Sequence, residues 1–350
     1  MNFINILMEL NNELISQIKI TPVIDSLKLE DISDDEYFSE KYSGYISNSR
    51  LGILKNKGAK VFFEGIPQEY NPSFQFGTWM HQLFLQPESF ELVEGVHPPT
   101  AKAGLMALEL FHPDGTTPTD EEIKKASDKI GYYKDKLTAS RISELRDKCN
   151  QFWRDKFIYD TNNPFKEGDK ERLFVDEKSY NILTGCMKSI NENVDFNKLM
   201  NPDFITDEPI KGNEKTILLD VEITIPEYEP RIYKLKSKLD NFVIDIEENT
   251  ITVNDLKTTS KLAKEFNPVY FSYQREIGMY SYLLKLCAKK FYGLENPTIK
   301  GNFLVVSLIP EYNSLVYPMT PKLFKQGFEE FKYLLKTAAY LNIVKGYELQ

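Results

Sequence analysis

The sequence predicts an α/β fold: a small mixed β-sheet flanked by helices, with a helical insertion. Three observations predict it. Residues 236–259 read KSKLDNFVIDIEENTITVNDLKTT, where β-branched and aromatic runs flank a polar turn at Glu247–Asn249, the pattern of a β-hairpin. Residues 303–308, FLVVSL, are the near-continuous apolar run of a strand covered on both faces. Charge-rich segments with helical periodicity fill about 97–215 and return near 271–286 and 321–344.

The chain has 350 residues, 41% of them apolar, enough for one large α/β domain with insertions or for two domains. The reading adopted is a 1–44 extension followed by a single domain over 45–345, with the insertion at about 97–215. Net charge is −9, so any nucleic acid must be met by a local basic groove rather than by a basic field. Cys149, Cys186 and Cys287 are far apart and odd in number, which predicts neither a disulfide framework nor a cysteine metal cluster. The sequence has no apolar run long enough for a membrane span and shows no signal-peptide pattern. The expected setting is a reducing cytoplasm.

Residues 1 to about 35 read as an amphipathic helix followed by an acidic, weakly patterned segment, either an arm that meets a partner or a packed helix with a solvated loop. In 45–65, Ser47 or Ser49 caps a helix bearing Leu51, Ile53 and Leu54. Arg50, Lys55, Lys57 and Lys60 beside it either touch phosphate or form a solvated face. In 71–91, Phe76, Trp79, Met80, Leu83 and Phe84 recur at helical spacing, with Ser73 as a candidate cap. His81 lies at the edge of that stripe, one turn after Gly77, and is either a packed core histidine or a ligand. Pro113–Gly115 is a turn, 119–157 is helical, 161–169 is a loop and 177–191 is a helix. Residues 217–225, ILLDVEITI, form a strand with Asp220 and Glu222 on one face. A loop at 226–230 precedes a strand from Arg231 towards Asp240. The 271–286 helix carries Tyr273, Gln274, Arg275, Glu276 and Tyr280 as polar groups. A short strand at 314–318 and a closing helix at 321–344 complete the chain.

The hairpin carries the chemistry. Side chains alternate along a strand, so Val253, Asp255 and Lys257 share a face. With the turn near Glu248 and Asn249, Asp240 lies opposite the Asp255–Lys257 segment. Two carboxylates and a lysine then converge, a donor set that suits a hard divalent cation such as Mg²⁺. A neighbouring lysine orients or deprotonates a metal-bound water, and metal, water and phosphate together mean phosphodiester hydrolysis. The competing reading is an ordinary salt-bridged strand end. Asp or Glu two residues before Lys recurs at Glu122, Asp176 and Glu330, but only Asp255 and Lys257 end an apolar strand with another Asp one strand back.

A helix with histidine, a strand with Glu, a hairpin with Asp and then Asp-x-Lys, a helix with Gln and Tyr, and a buried strand follow in this order. The chain resembles the PD-(D/E)XK (restriction-endonuclease-like) nuclease superfamily, and within it the RecE-like and lambda-exonuclease-like phage exonucleases. The resemblance rests on ISNSRL at 46–51, GTWMHQL at 77–83 with LQPESF at 85–90, the helix after Glu177, Leu239–Asp240, and NDLKTT at 254–259. It covers about 45–340. Two departures mark it. The second acid is Asp255 where many relatives carry Glu, and four residues after Gln274 stands Gly278, so either Gln274 or Glu276 fills the position that partners Tyr280. Three cysteines also cannot build the four-cysteine iron–sulfur cluster of some relatives.

The resemblance implies a metal-dependent exonuclease hydrolysing linear double-stranded DNA from its ends in phage recombination, repair or replication. An endonuclease on the same scaffold and an idle DNA-binding scaffold protein are the alternatives. It implies two Mg²⁺ or Mn²⁺ ions per site, held by Asp240, Asp255 and the Leu256 carbonyl, with His81 at the second. Lys257 would position the attacking water, and Glu222 would contact metal or water. Ser49, Arg50, Thr258, Gln274 and Tyr280 would contact substrate. Suggested partners are double-stranded DNA ends, a single-strand annealing or recombinase protein, and further copies in a homo-oligomeric ring. The cytoplasm, that of a bacterial host for a phage protein, is the expected location.

Overall fold

The computed structural model describes residues 12–64, 72–112, 115–133, 136–200 and 210–348. The chain divides into two compact units, one of residues 1–70, 189–307 and 313–350, the other of 71–188 and 308–312. In chain order the elements are α1 Asn12–Gln17, β1 Lys19–Glu30, α2 Asp34–Tyr37, α3 Asn48–Lys57, α4 Ala59–Glu64, α5 Pro72–Leu85, β2 Phe90–Val93, α6 Ala101–Glu109, α7 Asp120–Ile130 and α8 Ala139–Asn162. They continue with β3 Glu171–Phe174, α9 Glu177–Glu192, α10 Val194–Met200, β4 Ile210–Thr224, β5 Arg231–Asp245, β6 Thr250–Thr259, α11 Tyr273–Tyr292, β7 Thr298–Ser307, β8 Ser314–Pro318 and α12 Pro321–Ile343. No described helix is long and apolar enough to cross a membrane.

The first unit is built on a six-stranded mixed sheet, ordered β1-β4-β5-β6-β7-β8. The β5–β6 hairpin pairs Asp245 with Thr250 and Asn241 with Asn254, so the turn falls where the polar residues 247–249 predict it. β6 and β7 are parallel, which requires a crossover, and α11 supplies it. Of the predicted run, residues 303–307 are fully buried in β7, which ends at Ser307. The core packs one sheet face, through Leu235, Leu239, Phe242, Ile244, Ile251 and Val253, against Met279, Leu283 and Leu284 of α11 and Phe331, Leu334 and Leu335 of α12.

Two departures from the sequence reading concern this sheet. Lys19–Glu30, read as part of an arm, is an edge strand antiparallel to β4. Pro22 hides it from a strand pattern, yet an edge position tolerates a missing N–H, and the pairing carries a register irregularity between Val23 and Lys28. β4 also starts at Ile210 rather than 217. Its first half, IKGNEKT, has no apolar periodicity. Its polar groups are met by neighbouring strands and ion pairs instead, Lys215 by Asp31 and Glu214 by Lys238.

The second unit is mainly helical. Its core gathers Val93, Met106, Ile123, Ile142, Leu145, Cys149 and Phe152, and β2 and β3 form a small parallel sheet that the sequence reading lacked. The region 119–157, read as continuously helical, is split into α7 and α8. Gly131 stops α7 at φ +68°, where glycine is at home, and Thr119 and Glu122 form a reciprocal cap at its start. Ser73, the candidate cap, falls inside α5, which starts at Pro72, and the turn residues Pro113 and Asp114 lie outside what is described.

α11 and α12 touch backbone to backbone. A Cβ on Gly327 would fall 1.9 Å from the Gln274 carbonyl oxygen, and one on Gly278 2.6 Å from the Phe328 nitrogen. Gly278, the departure from the Gln-x-x-x-Tyr spacing, is therefore a packing requirement. Alanine in a helix interior normally gains about 1 kcal/mol over glycine, but here the clash decides the sign. Gly327→Ala is expected to cost about 1–3 kcal/mol, measured by urea unfolding. Gly44→Ala, with open space around its Cβ, should stay within about 0.5 kcal/mol of wild type.

Candidate active site

Residues of the first unit build the acidic cluster around Asp240 and Asp255. Position starts with register. Asn213, Asn241, Asn254 and Asn302 form a ladder across four strands: Asn302 donates to Asn254 at 2.9 Å, Asn254 to Asn241 at 2.7 Å and Asn241 to Asn213 at 2.8 Å. Asn241, Asn254 and Asn302 are buried, and Asn254 also donates to the Leu199 carbonyl at 3.3 Å. Their sequence neighbours Asp240 and Asp255 point to the other face, by strand alternation. There Asp240 accepts a hydrogen bond from the Leu256 N–H at 2.6 Å, in place of the next ladder bond beyond Asn241–Asn254.

Lys257, two residues beyond Asp255 on the same face, forms ion pairs with Asp255 at 2.7 Å and with Glu276 of α11 at 3.1 Å. Tyr280, one turn on, donates its hydroxyl to Glu276 at 2.9 Å. Of the two α11 candidates, Glu276 therefore meets the site. Gln274 turns instead to Glu330 of α12, donating at 3.2 Å. Glu330 is also held by Arg275 at 2.9 Å and Lys55 at 2.8 Å, and Arg275 donates to Asn48 at 2.7 Å.

Glu214 stands opposite Asp240, between the pairs Asn213–Asn241 and Lys215–Leu239. A carboxylate oxygen of each lies within 4.8 Å of the other's. Glu214 has a left-handed backbone, φ +53°, rare for this residue type and concentrated where surrounding structure enforces it. Lys238 pairs with Glu214 at 3.4 Å and also with Asp34.

The electrostatics follow from burial. Asp255 is fully buried. Burial pushes its carboxyl well above the usual range; Lys257 offsets this in part, while Glu276 and Asp240 push it further up. Its Oδ1 finds no hydrogen-bond donor among the described residues. Burial opposes the charge on Lys257, but Asp255, Glu276 and Asp240 outweigh it and raise its pKa well above the ordinary lysine value. Glu276 is likewise penalised by burial, yet Lys257 and the Tyr280 hydroxyl hold its carboxyl below the usual value. The ammonium of Lys257 and the carboxylate of Glu276 are thus the stably charged pair, and Asp255 is an anion site short of positive charge. A hard cation fits this deficit: among the described residues, several clustered carboxylates, one with an undonated buried oxygen, exceed the cationic side chains that face them.

The remaining predicted residues of the first unit are placed differently. Glu222 pairs with Ile232 and Thr21, eight residues from Glu214 along β4, or roughly 26 Å at strand rise, so β4 does not bring it to Asp240. Thr258 shares its face with Leu256 and Asn254, away from Lys257. Arg50 is spent on backbone, its guanidinium donating to the carbonyls of Phe62 at 3.3 Å and of Ser43. Ser47 is the cap of α3, accepting from the Arg50 N–H at 3.2 Å, and Ser49 shares a 2.9 Å hydroxyl contact with it. Ile46 bridges to β5 through its N–H and carbonyl, which anchors this helix start on the sheet. His81 lies in α5 of the second unit, partly buried.

The sequence matches no family model, and no curated protein matches it. Among solved structures, the chain is similar to a protein from Eubacterium rectale described as a "putative exonuclease", at 9% identity and a TM-score of 0.43, over 89% of this chain and 87% of that one.

Glu214 was invisible to pattern reading because its strand segment is polar; the signal that remained was a charged residue two before Thr216, where β4 turns apolar. Calorimetric titration with Mn²⁺ separates the two glutamates. Glu214→Gln should weaken binding roughly tenfold or more, whereas Glu222→Gln should leave it unchanged; the reverse ranking would remove Glu214 from the site.

Proposed function

We propose that the protein is a metal-dependent deoxyribonuclease with a PD-(D/E)XK core, hydrolysing phosphodiester bonds at the ends of linear double-stranded DNA. One observation carries the reading: Asp240, Asp255 and Lys257 converge on one sheet face at adjacent strands, with Asp255 buried and one of its oxygens undonated. Packing alone does not call for a fully buried carboxylate here, since desolvating one costs several kcal/mol that an apolar residue of similar volume would not. The polarised mixed sheet with α11 laid across it agrees with this core. The resemblance of residues 46–51, 77–90 and 254–259 to phage exonucleases extends the proposal to ends and to recombination, repair or replication.

Asp240 and Asp255, with the Leu256 carbonyl and Glu214 nearby, would hold Mg²⁺ or Mn²⁺. When bound, such an ion supplies an acidified water and charge neutralisation at phosphate. The chain's own residues divide the remaining work. Lys257 stays an ammonium under its carboxylate neighbours, so it donates: it orients the attacking water and faces the charge that builds on the phosphate. Glu276 holds Lys257 together with Asp255, and Tyr280 holds Glu276. Asp240 is itself oriented by the Leu256 N–H.

The test is digestion of end-labelled linear duplex beside a closed circle of the same sequence, in Mg²⁺ and in EDTA. Wild type should consume the linear DNA only with metal. Asp255→Asn should abolish cleavage, and Lys257→Met should slow it about 100-fold or more with metal affinity retained. Cleavage of the circle would make the enzyme an endonuclease. Full activity of Asp255→Asn would place the chemistry elsewhere.

A further inference from the structure

The segment between β6 and α11 exposes an aromatic tip. Tyr270 is 78% and Phe271 63% exposed, with Val269 at 50%. Large aromatic side chains left in water without cover are unusual for a short loop. The loop is nonetheless rigidly built. The Asn267 side chain accepts the Val269 N–H at 3.0 Å, the Ser272 N–H bonds Val269 at 3.2 Å and the Tyr273 N–H bonds Pro268 at 2.9 Å. Ser272 sits in the left-handed region at φ +58°, a conformation that costs free energy for a non-glycine residue, and Lys55 holds its hydroxyl at 2.7 Å. Rotation of the chain at Ser272 is what turns the rings outward at the start of α11.

The rings are continuous with the site. Tyr270 meets Phe271 edge-on at 4.7 Å, Phe271 meets Tyr273 at 5.4 Å, and the Lys257 ammonium lies 5.0 Å from the centre of the Tyr273 ring. Phe266 also stacks on Tyr273 at 5.8 Å and is packed against Phe303 of the core. An inner pair of rings is thus anchored beside Lys257, and an outer pair is presented to solvent two ring contacts away. Lys261 and Lys264, both exposed, flank the loop on its β6 side.

Exposed rings beside lysines and next to a phosphodiester site fit single-stranded nucleic acid, whose bases offer flat faces and whose backbone offers negative charge. We propose that Tyr270 and Phe271 form a base-stacking platform that holds an unpaired nucleobase adjoining the phosphate addressed by Lys257. The proposal rests on the nuclease reading for its orientation relative to the scissile bond, but the stacking itself is testable without cleavage. Duplex DNA hides its base faces, so the platform takes frayed or overhanging ends. Stacking is tolerant of sequence, so the four homopolymers should bind with similar strength.

The experiment measures fluorescence anisotropy of a labelled single-stranded oligonucleotide with the full-length protein in EDTA, where cleavage cannot interfere. Tyr270→Ala/Phe271→Ala should weaken binding about tenfold or more, and Tyr270→Ala alone, at the most exposed of the rings, should weaken it by a smaller factor. Phe271→Tyr, which keeps the ring, should bind as wild type does. Mg²⁺-dependent hydrolysis of bis(p-nitrophenyl) phosphate, which has no nucleobase, should be the same in wild type and double variant. Unchanged oligonucleotide binding by the double variant would overturn the proposal, as would an equal loss in Phe271→Tyr or a wild type that does not bind the oligonucleotide. A wild type that binds through these rings yet hydrolyses neither DNA nor the small diester would retain the platform and remove the nuclease reading instead.

Discussion

The asparagine ladder across β4, β5, β6 and β7 is the constraint on which the rest depends. Side chains on a strand alternate, so a slip of one residue between β5 and β6 would turn Asp255 and Lys257 to the opposite face and bury Asn254 in the apolar core. The apolar runs on either side of the hairpin favour the native register through burial. The amides add a directional condition, because each must find its partner at hydrogen-bond distance in a buried setting where an unmet amide costs about 1–3 kcal/mol. Asp240 enforces the same alignment from the other face by taking the Leu256 N–H. Register and site are therefore specified by adjacent residues on opposite faces of the same two strands.

On the face that the ladder fixes, charge is arranged around one ammonium. Lys257 is held by Asp255 and Glu276, and Glu276 by Tyr280, so its position is determined by its own strand and a helix at once. The helix is itself held close by α12, where Gly278 and Gly327 let the backbones touch. This route ties a packing detail far from the carboxylates to the placement of Glu276. The excess of acid over base around Asp255 is costly in an apolar environment unless a cation completes it. That deficit, more than any single distance, supports the proposed metal centre over a structural ion pair, which would be neutral within itself.

The hairpin, its turn, the buried β7 strand, α11 and α12 were all legible in the sequence, because each is written in an uninterrupted apolar pattern with polar ends. Asp240, Asp255 and Lys257 were legible for the same reason: period-two alternation fixes their face once the turn is located. Glu222 misled because an acid on a clear strand attracts attention, while Glu214 lay in a polar stretch whose strand character comes from neighbouring strands and not from its own residues. β1 was obscured by Pro22. The spacing on α11 left Gln274 and Glu276 equivalent, and the choice fell to helix rotation and to the demands of Gly278 against Phe328, neither of which a linear pattern carries. Arg50 looked like a phosphate ligand until its backbone acceptors, one of them twelve residues on at Phe62, came into view.

The most direct measurement is an anomalous difference map from crystals grown or soaked with Mn²⁺, without nucleic acid. The account predicts a manganese peak in coordination distance of carboxylate oxygens of both Asp240 and Asp255, with the Lys257 ammonium still against Glu276. Ordered manganese elsewhere with none at Asp240 and Asp255, or Asp255 closed onto Lys257 in the presence of saturating metal, would contradict it.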